Sequence, residues 1–459
     1  MGLGAFARAH AAVFTEDAML AAGDFGWGIV GVTQRSDTVA RQLAPQEGLF
    51  TVSERGGAAA PLRVVSSIVE AISGRDNPEG VVARIAAPAT KIVTLTITEK
   101  GYRFDPQTRT LDLHDPDVQA DLTGRPPVTA IGQIVRGLQQ RATAGAGPVT
   151  VLSCDNLPAN GILTGTLVRN FAAALPATES GPLVAWMRGN VTFPSTMVDR
   201  MVPATKPGDL AAVEHELGVQ DEAAVVAEPF KQWVMEDNFA AGRPRWEDAG
   251  AVFSDDVAAW ESAKLRLLNA SHSMLAYLGL LAGKETISDA VAVQPFRTAC
   301  RRMMLEEALP SITLPAGLDG EQYCDQVLRR FANPALGHTT AKVGSDGSQK
   351  VGLRLLTTVR GTLDAGRAPR WAALAVAAWM HYVAGTLETD LNDPLAAELN
   401  AALPAAGDAH SMVPALLGFR PIFDQDLAGN KAFRDLLLHW YRIIETNGPD
   451  GLGNEINNG

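Results

Sequence analysis

Short β-rich runs at residues 27–33, 49–53, 62–65, 92–98 and 149–152 alternate with stretches of helical apolar periodicity such as 130–140. That alternation constrains the fold more than any other feature, because strands separated by helices build parallel sheets with helices on their faces. In such sheets ligands collect outside the carboxyl ends of the strands. Past Gly242-Arg-Pro-Arg245 and the turn Ser254-Asp-Asp256 the β-rich runs stop. The rest of the chain is helical in pattern, with candidate helices at 295–309, 322–331, 353–363, 370–383, 393–402 and 431–445. A chain of 459 residues with 46% hydrophobic content supplies two cores. The expected fold class is α/β, a parallel-sheet domain over residues 1–255 followed by a mostly α-helical C-terminal domain over 256–459.

The helical half opens with a segment over 256–281 in which Leu265, Leu268, Met274, Leu275 and Leu278 recur at helical spacing. Set into it is Lys264-Leu-Arg-Leu-Leu-Asn269-Ala-Ser-His272. At about 100° per residue, Lys264, Glu261, His272 and Asn269 fall at roughly 0°, 60°, 80° and 140°, so all four leave less than half of the helix circumference. An amine, a carboxamide and an imidazole so placed suit the oxidation of a secondary alcohol by hydride transfer. One group takes the hydroxyl proton while another holds the developing oxygen charge. A lysine is that base only where burial lowers its pKa from about 10.4 to near 7 or 8, worth about 4 kcal/mol. The same pattern also describes a solvated lysine, a flank asparagine and a satisfied core histidine, so the stretch alone leaves both readings open.

The net charge of −12 argues against a nucleic-acid or anionic-membrane surface. Cys154, Cys300 and Cys324 stand far apart without a C-x-x-C spacing, which fits a reducing compartment better than a disulfide framework. The histidines include no H-x3-H pair, so a metal-independent lysine base is the economical mechanism. No run approaches the ~18 apolar residues of a membrane span, and the amino terminus lacks a secretory apolar core. The expected location is cytoplasmic. The Gly/Asn-rich stretch from Asn447 is expected to fray.

Gly2-x-Gly4-x-Phe6, followed by Arg8 and His10, resembles a dinucleotide-binding turn, in which glycines let the backbone approach a pyrophosphate at a helix N-terminus. Such a turn follows a β-strand, and here it follows Met1 directly, so the expectation is an upstream segment that supplies the central strand. After the run 27–33, Arg35 and Ser36 suit a 2′-phosphate whereas Asp37 suits a ribose hydroxyl, which leaves NAD and NADP both open.

Lys-x4-Asn-x2-His, with Ser273 and the apolar run to Gly279, resembles the signature of the polyol-specific long-chain dehydrogenases, the family of mannitol 2-dehydrogenase and fructuronate reductase (D-mannonate oxidoreductase). Similar blocks occur in the same order along nearly the whole chain: Gly2-Leu-Gly4-Ala-Phe6-Ala-Arg8-Ala-His10, Thr98-Glu-Lys-Gly-Tyr102, Ser153-Cys-Asp-Asn156, Phe193-Pro-Ser-Thr-Met-Val-Asp199-Arg200, Glu228-Pro-Phe-Lys-Gln-Trp233 and Asp346-Gly-Ser-Gln-Lys350. The resemblance implies a Rossmann-type first domain and an NAD(P)-dependent oxidoreductase that interconverts a sugar acid or polyol and its keto form, NAD being the usual cofactor.

It further implies Lys264 as general base, Asn269 and Asn160 polarising the substrate oxygen, His272 orienting the substrate and Glu261 relaying the proton to solvent. Cofactor contacts are expected from Gly2, Gly4, Phe6, Arg8, Asp37, Thr98, Glu99, Lys100, Asp155 and Asn156. Substrate contacts are expected from Asn160, Asp199 (paired with Arg200), Lys264, His272, His338, Lys342 and Lys350. The stretch Asn333-Pro-Ala-Leu-Gly-His338, then Lys342 and Lys350, looks nearer to the fructuronate reductases, so D-mannonate and fructuronate are the leading pair. D-mannitol and fructose are the alternative, although mannitol dehydrogenases commonly carry an arginine where this chain has Lys342. From a different class, a dinucleotide-binding sensor without turnover would share the fold. A monomer or weak homo-oligomer is expected.

Overall fold

Val, Ile and Thr, which fit a pleated surface, fill β1 (Ile29–Thr33), β2 (Phe50–Glu54), β3 (Arg63–Val65), β4 (Ile68–Ser73) and β5 (Ile92–Leu95). A hairpin of β6 (Phe104–Asp105) and β7 (Thr110–Leu111) precedes β8 (Val149–Ser153) and β9 (Val191–Thr192). The short strands β10 (Thr196–Asp199), β11 (Val225–Ala227), β12 (Gln232–Met235) and β13 (Val252–Phe253) complete the set. The computed structural model describes residues 1–56, 62–386, 391–404 and 407–458, and the chain forms two units, Met1–Val257 and Ala258–Gly459.

In the first unit β1 pairs in parallel with β4, and β5, β8 and β9 form a second parallel group. The helices Pro78–Ala86, Ala130–Ala144 and Asn160–Ala174 cover one face, where Leu95 and Val151 are enclosed with Ile134, Leu138, Leu167 and Phe171. On the other side Leu152 joins Phe14, Trp233 and Trp246 in a separate cluster. Two expected strands lie elsewhere. β2 pairs antiparallel with β3 and parallel with β11 in a small sheet of its own, because Phe50, Val52 and Val65 pack on Ala12 and Val13. The neighbour of β1 is instead β4, whose Glu70 interrupts the apolar run and pairs with Arg84 outside the core. Pairing of β10 with β12, Val198 opposite Trp233, joins the motif-rich stretches around Asp199 and Trp233.

The second unit has no strand among the described residues. Its centre is the helix Ala270–Leu281, where Met274 through Leu278 are completely buried, and a helix apolar on all sides belongs inside a core. It packs against Arg370–Thr386, which brings in the buried Trp371 and Trp379. The expected fraying from Asn447 does not occur. The last helix, Lys431–Asn458, turns at Gly448 (φ 61°) and goes on to bury Leu452 and Ile456, while Glu455 accepts hydrogen bonds from Arg370 and His439. All three cysteines are free and buried. Among the described residues, no helix is long and apolar enough to cross a membrane.

Candidate active site

The segment carrying Lys264 and His272 is helical throughout, but not uniformly. Between Val257–Ala263 and Ala270–Leu281 lies a π-turn, Lys264–Asn269, in which the backbone N–H of Ala270 reaches Leu265 O. Bonding of residue i to i+5 inserts one residue into the turn, so residues five apart stand one turn apart. Lys264 and Asn269 are five apart, and His272 lies beyond Asn269 at the neighbouring i+3 position. The π-turn thus draws Asn269 toward the line of Lys264 and His272, closer than a regular helix would. Lys264 is buried, with 7% of its surface exposed, and Glu261 one turn earlier is half-buried.

His272 stacks on Phe331 with centroids 4.8 Å apart and on His338 at 5.9 Å. Its Nε2 is buried and has no hydrogen-bond partner among the described residues. Burial, and then the positive charges of Arg354, Arg330 and Lys350 together with His338, hold this imidazole well below its ordinary pKa, so it is neutral at pH 7. His338 is lowered too, by burial and then by Lys342, which lies exposed in the short helix Thr340–Gly344. The Lys350 Nζ donates to Val343 O and Ser345 O at 3.3 and 2.5 Å and stands 3.8 Å from Asp346.

Arg354 is a site residue that the sequence motifs do not announce. It sits in a second π-turn, Gly352–Leu356, and donates to Ser273 Oγ at 3.1 Å and Asn269 O at 3.4 Å. Arg266, in the first π-turn, answers it by donating to Thr358 Oγ1 at 2.8 Å and Ser311 Oγ at 2.5 Å. The two turns pack together, each holding the segment beyond the other. No carboxylate lies within ion-pair distance of Arg354 among the described residues. The one signal in the sequence is a lone arginine inside an apolar helical run, Leu-Arg-Leu-Leu, which occurs at both turns.

In the first unit a cavity of about 360 Å³ opens at the carboxyl ends of β1 and β5, lined by Gln34, Arg35, Lys100, Gly101 and Thr129 among others. Thr98 and Glu99 stand exposed beside it in the turn after β5. Asp37 is outside this lining and pairs with Arg41 at 3.1 Å. Gly2 has φ +85°, and a Cβ there would stand 2.2 Å from Thr96 O, so only glycine fits. Gly4 is exposed at the start of the helix Ala5–Ala9, Phe6 stacks on His10 at 4.8 Å, and Asn156 is exposed after β8.

Four of the expected polar residues have side chains bonded within the protein, and one expected pairing is corrected. Arg8 is buried and donates to Gly4 O and Ala223 O, which ties the first helix to the strand β11 region and not to an open cofactor face. The Asp155 carboxylate accepts from Ile97 N, Thr98 N and the Tyr102 hydroxyl at 2.9–3.0 Å, so it fixes the turn after β5. Asn160, 1% exposed, commits both amide hydrogens to Asp155 O and Thr196 O and accepts from Thr196 N, leaving none for a substrate oxygen. Arg200 pairs with Glu54 at 2.5 Å, not with Asp199, because its guanidinium lies against Glu228 O and Ala9 O on that side. Asp199 is buried in β10.

A parallel-sheet unit with an open cavity at its strand ends, followed by a helical unit with Lys, Asn and His along one helix, has the parts of a dinucleotide-dependent oxidoreductase. The chain belongs to the mannitol dehydrogenase family: residues 1–248 match the mannitol dehydrogenase Rossmann domain and residues 256–444 the mannitol dehydrogenase C-terminal domain. It is 42% identical over 442 residues to the D-mannonate oxidoreductase of Escherichia coli (strain K12), covering 94% of this chain and 90% of the relative. The mannitol 2-dehydrogenase of Phaeosphaeria nodorum is 35% identical, with 98% of this chain and 79% of the relative covered. In fold, the chain is similar to the Pseudomonas fluorescens mannitol 2-dehydrogenase in its ternary complex with NAD and D-mannitol, with a TM-score of 0.85, 34% identity, and coverage of 100% of this chain and 93% of that one.

Proposed function

We propose that the protein is an NAD-dependent, metal-independent oxidoreductase that interconverts D-mannonate and fructuronate, with the first unit binding the dinucleotide and the second supplying the catalytic side chains. The observation that carries the choice of a sugar acid is the partly buried positive charge beside His272: Arg354 has no carboxylate partner among the described residues, and Lys350 faces mainly carbonyl oxygens. A substrate carboxylate satisfies such charge, whereas an uncharged polyol leaves it uncompensated. The 42% identity to a D-mannonate oxidoreductase supports the same reading.

The residues at the strand ends fit the cofactor. The 360 Å³ cavity combines Gln34 and Thr129 with the cations Arg35 and Lys100, a lining suited to ribose hydroxyls and phosphate oxygens. NAD, when bound, supplies the hydride acceptor. Lys264, buried in the π-turn, takes the hydroxyl proton from the substrate carbinol. The Asn269 carboxamide donates to the same oxygen as it becomes a carbonyl, and the unpartnered Nε2 of His272 bonds a neighbouring hydroxyl. Glu261 passes the proton on to solvent. Lys342, with His338, meets the far end of the substrate.

NADH oxidation with fructuronate and with fructose tests this reading. A charge-assisted hydrogen bond of roughly 1.5–3 kcal/mol gives fructuronate about a tenfold to hundredfold advantage in kcat/KM. Lys264→Ala should abolish turnover and leave NADH binding intact, with partial rescue by small primary amines. Lys342→Met should lose activity selectively on fructuronate. A preference for fructose by the parent protein assigns the mannitol reaction instead, and full activity in Lys264→Ala removes that residue from the chemistry.

A further inference from the structure

The turn after β5 holds a residue in a conformation foreign to its type. Thr98 has φ 65° and ψ 162°. A Cβ makes that region nearly the preserve of glycine, and a β-branched side chain suits it least. Core packing does not compensate, because Thr98 is exposed. What holds it is Asp155. β5 and β8 pair in register up to Leu95 and Ser153, so Asp155, two residues on, comes level with Ile97. Its Oδ2 accepts from Ile97 N at 3.0 Å and its Oδ1 from Thr98 N at 2.9 Å, which fixes the two peptide planes leading into Thr98. The plane beyond is held as well, since Gly101 N donates to Thr98 O at 3.0 Å.

The clamp is itself held from behind. The buried Tyr102 hydroxyl donates to Asp155 Oδ2 at 2.9 Å and lies 2.6 Å from Ser153 Oγ. Asn160 Nδ2 donates to Asp155 O at 3.0 Å and to Thr196 O at 2.9 Å, and Thr196 Oγ1 donates to Ser153 O at 2.6 Å. One residue thus ties together the ends of β5 and β8, the start of β10 and the helix Asn160–Ala174. The turn so held is a wall of the 360 Å³ cavity at the strand ends: Ile97, Lys100 and Gly101, on either side of Thr98, are among its lining. A strained residue persists where its surroundings over-determine it, and such residues cluster at ligand clamps. A wall built this way takes its shape on folding and needs no ordering when a ligand enters.

We propose that Asp155 is a positioning residue for the dinucleotide: it acts through Thr98, holding residues 97–102 in the shape that receives the ligand, without touching the ligand itself. This role rests on the reading of the first unit as the dinucleotide-binding one. The carboxylate oxygens are turned into the turn, where three donors occupy them. An asparagine at 155 keeps one acceptor oxygen and sets an NH2 against the other donor, so one of the two backbone bonds is lost. Thr98 then relaxes toward negative φ and carries Ile97, Lys100 and Gly101 with it. A glycine at 98 rests at φ 65° without strain, so it does not need the clamp. It is also free to leave that conformation, whereas a clamped threonine keeps one.

NADH binding to the full chain, followed by the fluorescence of the nucleotide, tests this role. Asp155→Asn should weaken binding about tenfold to hundredfold and speed hydrogen exchange at the Ile97 and Thr98 amides. Thr98→Gly should bind NADH within about threefold of the parent. Combining the two should rescue the defect, bringing affinity to within about fivefold of Thr98→Gly, a non-additivity that independent contacts do not show. If Asp155→Asn weakens binding equally with threonine or glycine at 98, the carboxylate acts directly on the ligand or through the fold at large, and the proposal fails. It fails too if Asp155→Asn binds NADH as the parent does, or if neither asparagine variant folds. A parent chain that does not bind NADH removes the dinucleotide-binding reading itself, and this role with it.

Discussion

Glu307 carries a titration that the whole chain feels. Its carboxylate accepts from Trp371 N and Ala372 N at 2.7 and 2.9 Å, at the start of the helix Arg370–Thr386, yet burial dominates and pushes its pKa from 4.5 to about 7. The folded protein therefore favours the protonated form. Its contribution to stability is complete below pH 4.5 and is lost as pH rises to about 7, by about 3 kcal/mol. Chemical denaturation at pH 5 and pH 8 should show Glu307→Gln losing less stability over that interval than the parent. Identical pH dependence would mean that the carboxyl titrates normally. Roles at this scale are legible in the sequence only where spacing carries them. The proximity of Lys264, Asn269 and His272 is legible, because they share one helical segment and their spacing alone brings them together. The partners of Arg8 and Asn160 are not, because they are carbonyls at Ala223 and Thr196, 215 and 36 residues away, and a polar side chain looks the same whether it meets a ligand or a distant backbone.

At the scale of elements, the paired π-turns are hidden for a different reason. One inserted residue leaves the apolar periodicity of 256–281 nearly unchanged, so the run still reads as a regular helix. What the insertion changes is direction, and here it sets Asn269 one turn from Lys264. Arg354 holds that geometry from the opposite turn through Asn269 O and Ser273 Oγ. Replacing it by methionine should lower kcat about tenfold to hundredfold, the size of a lost charged hydrogen bond, while NADH affinity stays within about twofold. Because the Arg354 charge helps to depress His272, the same substitution should raise the imidazole pKa, which NMR titration reads directly. Arg354→Lys should recover the charge effect and not the geometry. Unchanged kcat in Arg354→Met would make the arginine a packing residue only.

For the molecule as a whole, the division into two units is legible because the β-rich runs stop near the point where it falls, between Val257 and Ala258. Strand partnership is not legible. β2 meets β11 across about 170 residues, and nothing local in Phe50–Glu54 distinguishes that partner from β1. The tail misleads by composition, since its glycines and asparagines draw attention away from Leu452 and Ile456, which close the helical core. Leu452→Ala should cost about 2–5 kcal/mol in denaturant unfolding, and a loss below about 1 kcal/mol would show that the last turns are peripheral after all.

The three enclosed cysteines have a practical consequence. Burial pushes the thiols of Cys300 and Cys324 up to about 12 and that of Cys154 higher still. The thiolate is the form that alkylating reagents attack, so the folded chain offers them almost no nucleophile. Iodoacetamide uptake therefore becomes a clock for opening of the chain and a poor probe of substrate occupancy. Cys154 would report the loosening of the strands, and Cys300 and Cys324 that of the helices.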